Sequence, residues 1–161
     1  MANLILRLDT GDNTIDRSTR IFRETLGWEV ITDKNMLYKL ADVGRGEEVL
    51  INGHGDPSSL GGFSAKDLAA LLAKGGLRGP VSIKLVACET GWGGAPFGLE
   101  LKVELVQGQK IMCSVSAPKN FVSVRSDASL YVDKDVAAPD GSLVPTAVPN
   151  NKAFFETSKA F

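Results

Sequence analysis

Short apolar runs alternate with amphipathic ones along most of this chain, and no other feature restricts its fold as strongly. Leu4–Leu8 reads as a first strand. Asp16–Leu26 follows, with Ile21, Phe22, Thr25 and Leu26 at helical spacing and Gly27 as a natural C-terminal stop. Trp28–Thr32 alternates like a second strand, Leu37–Leu40 suits either helix or strand, and Gly44-Arg45-Gly46 is a loop. Glu48–Asn52 is the next strand. Ser64 then opens a helix with Asp67 placed close to a capping box, Leu68, Leu71 and Leu72 on its apolar face, and Gly75-Gly76 at its end. Val81–Ala87 is a further strand. Pro96 suits the first turn of a helix whose face is Phe97, Leu101 and Leu105 and which stops at Gly108, before a strand at Lys110–Val115. Strands separated by helices of this length predict an α/β three-layer sandwich with a mostly parallel central sheet.

The remainder differs in style. Phe121–Arg125 and Ser129–Val132 alternate like a C-terminal β-hairpin about Ser126-Asp127-Ala128. Ala137–Asn151, with Pro139, Pro145, Pro149 and Gly141, is expected to be irregular, and a short helix is expected around Lys152–Lys159. The 161 residues are read as one domain, a core over about 1–118 and a flap-like hairpin and tail over about 119–161.

Charge and composition narrow the function classes. A formal net charge of −1 favours neither nucleic acid nor an anionic membrane surface. No apolar stretch approaches the roughly 20 residues of a membrane span. The segment from Met1 to Asp9 lacks a basic n-region and a signal-length apolar core. Two cysteines make no disulfide framework. A cytoplasmic site is expected, or export as a bacterial effector without a cleaved signal. One histidine and two cysteines cannot furnish a usual zinc site, and the glycine pairs at 61–62 and 93–94 lack the ending of a phosphate loop.

The chemistry gathers at two strand ends. His54, the only histidine, directly follows Glu48–Asn52, and Cys88 directly follows Val81–Ala87. Alone, each has a bland reading, a surface histidine or a core cysteine. Together they stand at the carboxyl ends of two strands joined by one helix, where α/β sheets build their sites. A cysteine attacks as thiolate, an imidazole takes its proton and returns it to the leaving group, and backbone N–H groups hold the oxyanion. Gly55 and Cys88 are the candidate oxyanion donors. Cys113, inside an apolar run, reads as core. Trp92 is read evenly as pocket lining or packing, while Asp56 and Glu89, which flank the pair, are read first as solvated charges.

Asn52-Gly53-His54-Gly55, the Ser64–Ala73 helix and Leu85-Val86-Ala87-Cys88-Glu89-Thr90-Gly91 together resemble the caspase-like, clan CD cysteine peptidases. Within that clan the chain is most similar to the self-processing protease domains of RTX and large clostridial toxins. The resemblance implies cleavage of polypeptides by a Cys–His dyad of Cys88 and His54, often after leucine. Leu8-Asp9-Thr10-Gly11-Asp12 is similar to the segment carrying an aspartate that orients the histidine, with Asp12 the first choice and Asp9 the alternative. Val115-Ser116-Ala117-Pro118 and Val124-Arg125 resemble the start of the family's β-flap.

The toxin branch is activated by inositol hexakisphosphate. By resemblance, Arg125 would contact that ligand, with Lys119 and Lys134 joining it and Arg20 and Arg23 contributing from the first helix. The five basic residues from 114 onward (Lys119, Arg125, Lys134, Lys152, Lys159) are matched by Asp127, Asp133, Asp135, Asp140 and Glu156, whereas a polyanion needs unopposed cations. The chain opens almost directly on its first strand, which suggests action in trans or a processed or trimmed domain rather than self-cleavage. Two other classes stay open: a non-catalytic caspase-like binding or effector module, and a deamidase or acyltransferase using the same Cys–His pair.

Overall fold

Alternating burial along its strands builds the central layer of the molecule. In a computed structural model, which describes residues 3–9, 11–91, 96–120, 122–149 and 155–158 (backbone alone at 134–137, 144–145 and 155–158), the strands β1 (Leu4–Arg7), β2 (Glu29–Ile31), β3 (Glu48–Asn52), β4 (Val81–Val86) and β5 (Cys113–Pro118) are all parallel. They are ordered β2-β1-β3-β4-β5, and β9 (Phe155–Ser158) adds an antiparallel edge to β5. Leu4, Leu6 and Leu8 point to one face of the sheet and Ile5 to the other, the period-2 pattern of a strand covered on both sides.

One face is covered by α2 (Ala65–Lys74), α3 (Phe97–Val103) with a π-helical turn over Glu104–Gly108, and a 3₁₀ helix over Lys34–Asp42. Leu68 and Leu72 of α2 and Leu101 of α3 are fully buried there, each contributing about 2 kcal/mol of transfer free energy. The other face is covered by α1 (Asn13–Leu26) and by a three-stranded antiparallel sheet, β6 (Val122–Val124), β7 (Leu130–Ala137) and β8 (Leu143–Pro149). Phe22 of α1 and Leu130 and Val132 of β7 pack there against Ile5, Leu50 and Val86. The result is a three-layer α/β fold. Among the described residues no helix is long and apolar enough to cross a membrane.

Two expectations for the tail are corrected. Within the stretch 137–151 residues 143–149 form a regular strand: β8 pairs with β7 over seven registered positions, from Tyr131↔Pro149 to Ala137↔Leu143, and residues 150–151 lie outside the described residues. Among the described residues β8 pairs on one side alone, and an outermost strand tolerates Pro145 and Pro149 because N–H groups there are not all needed. Around 152–159, residues 155–158 form β9 rather than a helix, and the rest lies outside the described residues. The exposed edge of β5 captures this segment, so tertiary pairing overrides local preference. Smaller differences are that Leu37–Leu40 belongs to the 3₁₀ helix and that Pro96 is the N-cap of α3 rather than its first residue.

Candidate active site

The chain runs outward from β1 to β2, then returns to lay β3, β4 and β5 on the opposite side of β1. At such a reversal the connections leaving neighbouring strands diverge to opposite faces, opening a crevice beyond their carboxyl ends. The connection leaving β1 carries Asp9 and Asp12, that leaving β3 carries His54, and the adjacent β4 delivers Cys88. Asn52 of β3 is in parallel register with Val86 of β4, so His54 and Cys88 each stand two residues past the last registered pair. Both line one cavity of about 220 Å³, whose other walls include Ile15 and Arg17 of α1 and Val122 and Val124 of β6.

Two aspartates hold the histidine in different ways. The His54 backbone N–H donates to Asp9 Oδ2 at 2.6 Å. Asp9 adopts a left-handed φ of 53°, a conformation that aspartate tolerates better than most residues. The imidazole Nε2 lies 2.8 Å from Asp12 Oδ2. Asp12 is also the N-cap of α1, its Oδ1 accepting the Ile15 N–H at 3.0 Å. The His54 bond first, and the Ile15 bond second, hold the Asp12 carboxyl below its ordinary range. Of the two aspartates considered from sequence, Asp12 meets the ring and Asp9 meets the backbone.

Gly55 brings the histidine loop against the cysteine loop. A Cβ there would stand 2.8 Å from Ala87 Cβ, 2.8 Å from Thr90 Cγ2 and 2.9 Å from the Cys88 carbonyl oxygen, so any side chain would force the loops apart. Gly55 forms an antiparallel bridge with Leu60, flanked by Gly61 N–H to His54 O and Asp56 N–H to Ser59 O. That pattern makes it the non-hydrogen-bonded position, with its N–H turned away from Leu60.

The cysteine loop is tied down on three sides. The buried Thr90 hydroxyl donates to Ala87 O at 2.9 Å, and Thr90 O receives the Gly98 N–H at 2.8 Å. Glu89 has a left-handed φ of 58°, and its N–H donates to Asn120 O. The Gly91 N–H reaches Pro118 O at the end of β5. Cys88 itself is partly buried. Desolvation pushes its thiol above the ordinary value, against bonds from the Val122 and Cys88 N–H groups, while the charges of Glu89 and Asp133 add to the rise. Burial thus disfavours the thiolate, the form in which a cysteine attacks, so a base is needed to generate it.

The remaining sequence candidates lie on several elements. Cys113 is fully buried in β5, and burial pushes its thiol up to about 11. Asp56 is no free charge: it accepts the Ser58 and Ser59 N–H groups and so shapes the turn. Arg125 lies beside the β6–β7 turn, its guanidinium 4.2 Å from the Tyr131 ring centroid. Arg20 and Arg23 are exposed on α1, and Lys119 is exposed at the end of β5. The Lys134 side chain and Trp92 lie outside the described residues. Among the described residues no group of three His, Cys, Asp or Glu side chains could hold a metal. Sequence reading did not single out Arg17, Thr90 or Asn52 for the site. Arg17 comes from a helix face and carries no recognisable motif, while Asn52 and Thr90 lie within the segments that resemble the family without a role of their own there.

The sequence matches no family model and no curated protein. Among solved structures, the fold is similar to part of an aromatic-amino-acid aminotransferase from Burkholderia pseudomallei covalently bound to pyridoxal phosphate. The identity is 17% and the TM-score 0.35, over 71% of this chain and 30% of that one. A likeness this slight carries no weight for function.

Proposed function

We propose that this protein is a caspase-like cysteine endopeptidase, with Cys88 as nucleophile and His54 as acid and base. The observation that carries the reading is the placement of His54 and Cys88 at matched ends of adjacent parallel strands, lining one cavity, with Asp12 on the outer ring nitrogen. With Nε2–H donated to Asp12, Nδ1 is the nitrogen that takes the thiol proton. The thiolate then attacks the scissile carbonyl carbon, and the oxyanion is held by the Gly55 and Cys88 N–H groups. The imidazolium protonates the departing amine, and water attacks the remaining thioester by the same route in reverse. Inositol hexakisphosphate as an activator bound at Arg125, Lys119, Lys134, Arg20 and Arg23 belongs to this proposal as its regulatory part.

The test is cleavage of a broad peptide library by the wild type, Cys88→Ala and His54→Ala, with and without inositol hexakisphosphate. Both substitutions are expected to lower cleavage by at least about 10²-fold; cleavage unchanged in either variant defeats the reading. A second reading is a dormant binding or effector module. The burial of Cys88 and the acidic charges of Glu89 and Asp133, which disfavour its thiolate, support that reading. A leucyl thiol-directed electrophile separates the two, since labelling of Cys88 that depends on His54 is expected of the enzyme alone.

A further inference from the structure

Among the described residues the buried polar side chains are Ser18, Thr19, Asn52 and Thr90, and all four lie in or beneath the loops of His54 and Cys88. Polar groups are costly to bury unless bonded, so their concentration here calls for a reason. Three of them form one network. Asn52, 1% exposed, donates through Nδ2 to Ser18 Oγ at 2.8 Å and Thr19 Oγ1 at 2.9 Å, with the Ile15 carbonyl at 3.4 Å. Ser18 spends its own proton on that carbonyl at 3.1 Å, which leaves its oxygen as the acceptor and fixes the orientation of the amide. The Asn52 carbonyl accepts the Leu8 N–H at 2.8 Å. A residue two positions before His54 thus joins β3 to β1 through its backbone, and through its side chain reaches the second turn of α1 at Ser18 and Thr19 and the Ile15 carbonyl of the first turn.

That first turn is what holds Asp12, through the Ile15 N–H. We infer that Asn52 is a positioning residue: its buried amide docks the first two turns of α1 on β3 and so holds the Asp12 carboxylate on the His54 ring. Apolar packing of Phe22 against Leu50 and Val86 seats α1 on the sheet, and the Arg7–Asp16 ion pair at 2.7 Å ties its first turn to β1. Directional bonds add a fixed rotation and axial register of the helix, which a 2.8 Å contact at its N-terminus requires. The inference rests on the proposed role of His54 as acid and base, but its central measurement does not.

The experiment uses the full chain with Asn52→Leu, Ser18→Ala and His54→Ala, each checked for a native amide spectrum. The readouts are the NMR titration of the Asp12 carboxyl carbon and the rate of Cys88 alkylation by iodoacetamide. In the wild type the His54 bond holds the Asp12 carboxyl below its ordinary range, and His54→Ala is expected to raise the midpoint. Asn52→Leu is expected to reproduce at least about half of that rise and to slow alkylation about tenfold. Ser18→Ala, which removes one acceptor from the same amide, moves both in the same direction and serves where Asn52→Leu does not fold. A natively folded Asn52→Leu or Ser18→Ala protein with an unmoved Asp12 midpoint overturns the inference. Alkylation of Cys88 that ignores His54→Ala, with the Asp12 midpoint still moved by Asn52→Leu, overturns the peptidase reading alone.

Discussion

A single methyl group at Gly55 would collide with Ala87, Thr90 and the Cys88 carbonyl. The backbone on either side cannot retreat, because Gly61 and Asp56 pin the histidine loop and Asn120 and Pro118 pin the cysteine loop. Gly55→Ala is therefore expected to cost about 1–3 kcal/mol in denaturant unfolding and to lower peptide cleavage more than about tenfold. Full activity in that variant would show that the two loops do not need their close approach. The two thiols were legible one residue at a time: Cys88, at a strand end, is partly buried, and Cys113, within a strand, is fully buried. Asn52 was not legible in its role. An asparagine closing a strand has the composition of a turn, and its acceptors lie 33 to 37 residues away in sequence.

The first helix does two jobs through one carboxylate, and substitutions at Asp12 can separate them. Asp12→Ser keeps an oxygen for the Ile15 N–H and loses the reach to His54, so stability should hold while cleavage falls. Asp12→Ala loses both, and is expected to lower stability by about 1 kcal/mol as well. Thermal unfolding and kcat measured on both variants check the separation; equal cleavage in the wild type and Asp12→Ser would remove the carboxylate from the site's chemistry. Two helix ends were readable, since Ser64 and Gly27 cap where composition places them, whereas α1 begins at Asn13 rather than at the expected Asp16. The last strands were the least readable. Pro145 and Pro149 signal broken structure, yet β8 accommodates them as an outermost strand. β9 exists through its pairing with β5, a partner that no local window of sequence contains.

Across the molecule the same Asp-x-Ser turn recurs at Asp56, Asp127 and Asp140, each carboxylate accepting bonds from the serine two positions on. Those bonds hold all three carboxyls below their ordinary range, as His54 does for Asp12. A carboxyl lowered by folding stabilises the native state above its unfolded value, near 3.8 here, and that gain is lost as pH falls through the lower folded value. Glu48 acts in the opposite sense, because burial raises it. Stability is expected to fall as pH drops below about 4, with a shallower fall when Asp56, Asp127 and Asp140 are replaced by asparagine. Chemical denaturation across that range checks it, and an unchanged slope in the triple variant would overturn it. Sequence by itself determined the layered α/β plan and the two strands that end at His54 and Cys88, because periodicity and capping are local properties of the chain. Tertiary structure alone decided that those strands are neighbours in register, which aspartate meets the ring, and that Asn52 ties α1 to β3. Such facts are distances between segments far apart in sequence, fixed when the sheet assembles.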